Sequence, residues 1–289
     1  FWAMRGAGVR ADAVTYASVV SACTAAGKME KAEGWLAEVI QEGEVSAPVF
    51  NCMIDGYGKL GNADMASAKF EQMRRHQVQP TASTFNSLIH AHAQVGDMPA
   101  ALKRLPQMRH AGLRPDVLTY TAVVGGFASL GRVRSAREWL ERMCEAQLEP
   151  SIVTYAALLR GCAKQHDVAG AERHFAEMQE RGLEPNAVIF NIMMSSYAAA
   201  RNLAAAEASL RSMQAARLRP GLVSYGSVVK AAGRAGDLQR ALAWHPRMAL
   251  AGCQPDARAY YALLTACAQV GDLGAADAAV ARMRAAGIE

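Results

Sequence analysis

His90 and His92 form an H-A-H element, the place in this 289-residue sequence where imidazoles stand close enough to invite a metal. Two residues apart on a helix they face different ways, whereas a metal needs convergent ligands, so a packing role is favoured. Six cysteines, at positions 23, 52, 144, 162, 253 and 267, contain no C-x-x-C pair and lack the density of a disulfide scaffold. Cys23, Cys162 and Cys267 recur in one register with Tyr57, Phe127 and Tyr197, a column that reads as packing rather than as nucleophiles. His174 and His245 have no ligand partners nearby in sequence. Paired carboxylates, a catalytic triad and a phosphate loop are likewise not evident, so no metal or cofactor is expected and catalysis is the least favoured class.

The same register recurs throughout the chain. Met73, Met108, Met143, Met178, Met213, Met248 and Met283 are each 35 residues apart, as are Pro80, Pro115, Pro150, Pro185, Pro220 and Pro255. A ring keeps step as Tyr16, Phe50, Phe85, Tyr120, Tyr155, Phe190, Tyr225 and Tyr260, and a small residue as Ala32, Ala66, Ala101, Ala136, Ala171, Ala206, Ala241 and Ala276. The sequence therefore divides into eight repeats, 13–46, 47–81, 82–116, 117–151, 152–186, 187–221, 222–256 and 257–289, with residues 1–12 as the end of a preceding one. It begins at Phe1 and reads as a piece of a longer protein, with any targeting segment upstream.

Each repeat predicts two helices. In repeat 117–151, Tyr120, Val123, Val124 and Phe127 make one amphipathic stripe and Val133, Ala136, Leu140 and Met143 another. Gly131 separates the two by supplying a left-handed residue, and the segment Gln147 to Ser151 is expected to end the second helix through Pro150. Pro106 and Pro246 fall inside second helices, where a tolerated kink is expected. One hairpin cannot bury both its faces, so hairpins must stack. The predicted fold is all-α: sixteen helices in a right-handed solenoid. With 52% hydrophobic residues the chain is not disordered, and its apolar runs are too short to span a membrane. The net charge of +5 permits a polyanionic partner without demanding one.

Repeats that open Asp116-Val117-Leu118-Thr119-Tyr120-Thr121 and close Ala111-Gly112-Leu113-Arg114-Pro115-Asp116 resemble the pentatricopeptide repeat family, P type. The W-x-x-L-G-x-x-Y opening of tetratricopeptide repeats is not present. The resemblance covers essentially the whole sequence. It implies a nucleus-encoded protein of mitochondria or chloroplasts that binds single-stranded RNA, mRNA or rRNA, at about one base per repeat.

In that family the fifth and last residues of a repeat read the base edge and the second packs on the base face. By that correspondence the readers are Asn51 with Thr81, Asn86 with Asp116, and Thr121 with Ser151, joined by Asn186, Asn191 and Asp256. The pair Asn86 and Asp116 would favour uridine. Ala17, Ala156, Gly221 and Gly226 occupy reader places without a hydrogen-bonding side chain. Val14, Leu118, Val153, Val188 and Val223 take the base-packing place, while Lys59, Lys164, Lys230 and Arg234, late in first helices, are candidates for phosphate contacts. RNA would then be held by shape and backbone more than by sequence.

These features favour an RNA-binding protein acting in RNA stability, processing or translation. The alternatives are a structural subunit of a large ribonucleoprotein such as an organellar ribosome, touching rRNA and ribosomal proteins, and a peptide-binding scaffold.

Overall fold

The computed structural model describes residues 11–43 and 45–288. Of the expected tail of a preceding repeat, only Ala11 and Asp12 fall within the described residues. The chain folds as two compact units, Phe1–Pro150 and Ser151–Glu289.

The first unit contains α1 (Ala13–Ala25), α2 (Met29–Glu42), α3 (Ala47–Lys59), α4 (Ala63–Arg75), α5 (Ala82–Gln94), α6 (Met98–His110), α7 (Val117–Ser129) and α8 (Val133–Glu145). The second contains α9 (Ile152–Lys164), α10 (Val168–Glu180), α11 (Ala187–Ala199), α12 (Leu203–Ala215), α13 (Leu222–Arg234), α14 (Leu238–Leu250), α15 (Ala257–Val270) and α16 (Leu273–Ala285). Among the described residues there is no strand. Within each unit a first helix packs on its own second helix and on the neighbouring first helices.

The repeated columns are the core. Met73, Met108, Met143, Met178, Met213 and Met248 are buried, as is every ring from Tyr16 to Tyr260 in the aromatic column. Rings also bridge successive hairpins: Phe70 meets Phe85 edge-on at 5.5 Å and Phe175 meets Phe190 at 6.0 Å. The alanine column is fully buried from Ala32 to Ala241, but Ala276 is only half-buried, because among the described residues no further hairpin covers α16.

Helix ends explain the spacing. The first helix α7 stops at Ser129 and the chain turns through Gly131 at φ 73°, as the position of that glycine predicts. The second helix α8 ends differently from expectation: it stops at Glu145, five residues before Pro150. Gln147 takes a left-handed φ of 58°, and Leu148 N–H donates to Met143 O at 3.0 Å, so a Schellman-type turn terminates the helix before proline can act. Pro106 and Pro246 sit inside helices that run through them without interruption.

First helices approach closely. A Cβ placed on Gly58 would lie 2.9 Å from the Cβ of Ala91, and one on Gly233 the same distance from that of Ala266. Small residues at this register let backbones stack and set the step from one first helix to the next.

Candidate nucleic-acid interface

Val14, Leu118, Val153, Val188 and Val223 all occupy the second position of a first helix and are 50–71% exposed. A second exposed apolar column, Leu60, Val95, Leu130 and Val270, lies at the ends of first helices, so what distinguishes the second-position column is its place on the reader face. In each unit these side chains stand three residues before the fifth-position readers, so both lie on one helix face.

Two reader pairs are assembled within the first unit. Asn51 Nδ2 donates to Thr81 Oγ1 at 3.3 Å, and Asn86 Nδ2 donates to Asp116 Oδ1 at 3.1 Å and Oδ2 at 3.3 Å. Burial alone would raise the Asp116 carboxyl. Hydrogen bonds from the Thr119 backbone N–H and hydroxyl and from the Asn86 amide outweigh it and hold the group below the usual carboxylate value. Thr121 lies in α7 of the first unit, whereas Ser151 opens the second. In the second unit Asn191 faces Gly221 in place of a polar last residue, while Asn186 and Asp256 go with Ala156 and Gly226. Those repeats present half a pair each.

The last-position readers have a structural role that the repeat pattern hides: they are the N-caps of the following first helices. Asp116 Oδ1 accepts from Thr119 N at 2.9 Å, Asn186 Oδ1 from Ile189 N at 3.1 Å, and Asp256 Oδ1 from Ala259 N at 3.0 Å. Thr81 and Ser151 accept more loosely, at 3.4 Å each. Capping alone selects Ser, Thr, Asp and Asn. An Asp or Asn keeps a second polar atom after capping, and a Ser or Thr hydroxyl does not.

Sequence reasoning passed over the residues behind the readers. Thr84 Oγ1 donates to Asn51 Oδ1 at 2.6 Å, Thr119 Oγ1 to Asn86 Oδ1 at 2.6 Å, and Ser224 Oγ to Asn191 Oδ1 at 2.7 Å. All three hydroxyl residues are fully buried. Their place as third residue of a capping box was a readable signal.

The cation candidates divide. Lys59 is exposed but bonded to Asp55 at 2.7 Å, whose hydrogen bond and charge raise its pKa, so its positive charge is largely matched. Lys164 and Lys230 are exposed, and Arg234 is half-buried. Arg160, exposed one turn before Lys164, belongs with them and was missed. The i, i+4 pairs Arg160 with Lys164 and Lys230 with Arg234 thus lie on α9 and α13, whose own fifth positions are Ala156 and Gly226.

One constellation has the composition of a hydrolase site but not its geometry. Ser67 Oγ lies 3.0 Å from His92 Nε2, and His92 Nδ1 lies 3.9 Å from Asp97 Oδ2, too far for a hydrogen bond. Arg104 Nη2 donates to Ser67 Oγ at 3.0 Å, so the hydroxyl oxygen is already held by a cation rather than free to act as a nucleophile. Burial, then the Arg104 charge, lowers the His92 pKa against the pull of Asp97 and Asp64. The Cys162 thiol is pushed up to about 11 by burial and then by Asp167, consistent with packing. Cys23, from the same column, is only half-buried, whereas Cys162 and Cys267 are buried. His90 is exposed and His92 buried, so the H-A-H element does not converge. Among the described residues no group of three His, Cys, Asp or Glu could hold a metal, and no helix is long and apolar enough to cross a membrane.

Two-helix repeats stacked within each unit define a helical-repeat protein. Sequence models of one repeat family match nearly the whole chain: the PPR repeat over residues 14–44, the PPR repeat family over 45–94, 80–129 and 119–164, and the pentacotripeptide-repeat region of PRORP over 162–286. The chain belongs to the pentatricopeptide repeat family. No curated protein matches it.

Among solved structures, the pentatricopeptide repeat protein PPR10 in complex with an 18-nt psaJ RNA element is 23% identical over 99% of this chain, with a TM-score of 0.66. A triple cysteine-to-serine form of PPR10 with the same RNA element gives the same values. The chain spans 47% of the PPR10 chain in both. The PPR domain of Arabidopsis thaliana protein-only RNase P 1 in complex with tRNA is 18% identical, over 62% of this chain and 95% of that one, with a TM-score of 0.49. The PPR10 likeness shows the α-solenoid fold.

Proposed function

We propose that this protein binds single-stranded RNA along the first-helix face and thereby acts in organellar RNA stability, processing or translation, in a mitochondrion or chloroplast, by occupancy rather than by catalysis of its own. The carrying observation is the pattern within each unit: exposed Val14 and Leu118 on the first-helix face that carries the assembled pairs Asn51 with Thr81 and Asn86 with Asp116 in the first, and exposed Val153, Val188 and Val223 on the first helices of the second. Aliphatic side chains sandwich base faces while the amides and the Asp116 carboxylate meet base edges. The likeness to PPR10, solved with an RNA element, supports the same reading.

The basic pairs divide the work. Repeats with Asn51 and Asn86 read edges, whereas α9 and α13, with Ala156 and Gly226 at the reader place, carry Arg160, Lys164, Lys230 and Arg234 toward phosphates. Filter binding with single-stranded and duplex RNA of equal length is the test: tighter binding of the single strand, weakening as salt rises, is expected. Equal affinity for duplex, or none at low salt, would overturn the proposal.

The reader places without polar side chains favour a second reading, a structural subunit of a ribonucleoprotein that holds rRNA by its backbone. Sedimentation decides, because stable co-migration with a ribosomal particle is expected of a subunit and a free or mRNA-associated pool of a factor.

A further inference from the structure

We infer that Thr84, Thr119 and Ser224 are positioning residues for base recognition: each locks the amide of the asparagine reader in the preceding hairpin so that it presents N–H and not C=O to the base. This rests on the proposed RNA-binding reading and adds to it the residues that decide which repeats read.

The hydrogen-bond logic is closed around Asn86. Asp116 N–H donates to Thr119 Oγ1 at 3.0 Å, so that oxygen already accepts and its proton is available to donate. The proton has two oxygen acceptors within reach, Asn86 Oδ1 at 2.6 Å and Asp116 Oδ1 at 2.9 Å, besides the weaker Met108 Sδ at 4.0 Å. The Asp116 carboxylate accepts only, so the Asn86 edge beside it must be Nδ2, which turns Oδ1 toward Thr119. An oxygen 2.6 Å from another needs a proton between them, and the hydroxyl is the only source. A flipped amide would set Oδ1 against the carboxylate and leave a buried hydroxyl facing N–H. Around Asn51 the same arrangement recurs, with Thr81 N–H donating to Thr84 Oγ1 at 3.0 Å and Thr84 to Asn51 Oδ1. Around Asn191, Gly221 N–H donates to Ser224 Oγ at 3.2 Å and Ser224 to Asn191 Oδ1.

Capping is the competing explanation for these hydroxyls, and their distribution argues against it. Within the two units, readers Asn51, Asn86 and Asn191 are followed by Thr84, Thr119 and Ser224, whereas Ala17, Ala156 and Gly226 are followed by Val49, Ile189 and Ala259. Asn186 and Asp256 are good N-caps, yet Ile189 and Ala259 follow them at the third position. Gly221 has no capping side chain, yet Ser224 follows it. The hydroxyl tracks the reader across the hairpin rather than the cap beside it. A buried hydroxyl with no side-chain acceptor is costly, which accounts for Val49, Ile189 and Ala259; Thr154, fully buried without an asparagine reader before it, has the Ser151 hydroxyl at 3.2 Å instead.

The test is selection of bound sequences from a randomised single-stranded RNA pool by the full chain and by Thr119→Val, Thr119→Ser and Asn86→Ala variants, with thermal melting beside it. Thr119→Val is expected to reduce the base preference at one nucleotide by about fivefold or more, as Asn86→Ala does, while preferences elsewhere persist; Thr119→Ser is expected to keep it. Unchanged preference in Thr119→Val overturns the inference, and so does equal loss in Thr119→Ser, which would mark packing rather than the hydroxyl. A constructive arm guards against misfolding: Ala156→Asn with Ile189→Thr is expected to gain a preference that Ala156→Asn alone does not, and equal gain by the single variant would count against the lock. Failure of the unsubstituted chain to bind the pool at low salt would instead overturn RNA binding itself, and the lock with it.

Discussion

Asn86 Nδ2 lies 3.1 Å from Asp116 Oδ1, so a side chain in the middle of α5 is tied to the residue that caps α7. The contact couples folding to recognition, because the same carboxylate caps a helix through Oδ1 and accepts from the reader amide. Substitutions at Asp116 therefore act twice. Asp116→Ala is expected to cost about 1 kcal/mol of stability through the lost cap and to remove base preference at one nucleotide. Asp116→Asn is expected to keep the cap and alter the preference. Melting and binding to oligonucleotides changed at one base separate the two effects, and a parallel loss in both variants would contradict the division.

The basic pairs on α9 and α13 give a salt-dependence prediction. Replacing Arg160, Lys164, Lys230 and Arg234 by Gln is expected to flatten the slope of log affinity against log salt by about 0.7 for each residue that meets a phosphate. Lys59→Gln is expected to change the slope less, since Asp55 already pairs with it. Fluorescence anisotropy across a salt series measures both.

His245 packs against Tyr260 at 4.5 Å, and its buried Nε2 has no hydrogen-bond partner among the described residues. Leu36, Leu105, Leu140 and Leu210 occupy the same register in other repeats. His245→Leu is expected to stabilise the protein by about 1–3 kcal/mol by removing the unpaired polar atom. A lowered melting temperature would show that the ring's packing outweighs that atom.

Acid sensitivity follows from the same ring and from His92. Burial, and secondarily Arg282, lowers the His245 pKa; burial and then Arg104 lower that of His92. An imidazole whose folded value lies below its unfolded one takes up a proton more readily when unfolded. Stability is therefore full above about pH 6.5 and is lost as the pH falls through the folded values. Melting between neutral pH and pH 5 is expected to show this decline, shallower in His245→Leu.

The close approach of first helices predicts a steric response. Gly233→Val is expected to destabilise by about 1–3 kcal/mol, because its side chain would enter the space of the Ala266 Cβ. A melting temperature equal to that of the unsubstituted chain would mean that the stack can widen.

Much of this protein is legible in its sequence. Periodic Met, aromatic and Ala columns are local statements about which helix face is apolar, and they determined the sixteen helices among the described residues and their burial, since a 3.6-residue period leaves little choice of inward face. They also led to Asn86 and Asp116, because recurring positions can be counted along a chain. Helix ends were less legible: Pro150 looked like the terminator of α8, but a left-handed Gln147 acts first, and no residue type announces that conformation as glycine does. Tertiary structure alone decided what each reader is bonded to. Thr119 and Asn86 are 33 positions apart and meet only because first helices stack edge to edge. Likewise only stacking showed that the capping residue Asp116 is also the partner of Asn86, and that Arg104 holds Ser67, the neighbour of His92, away from a triad. Hydrophobic patterning is written along one helix, whereas the direction of a hydrogen bond depends on which neighbouring helix supplies the other atom.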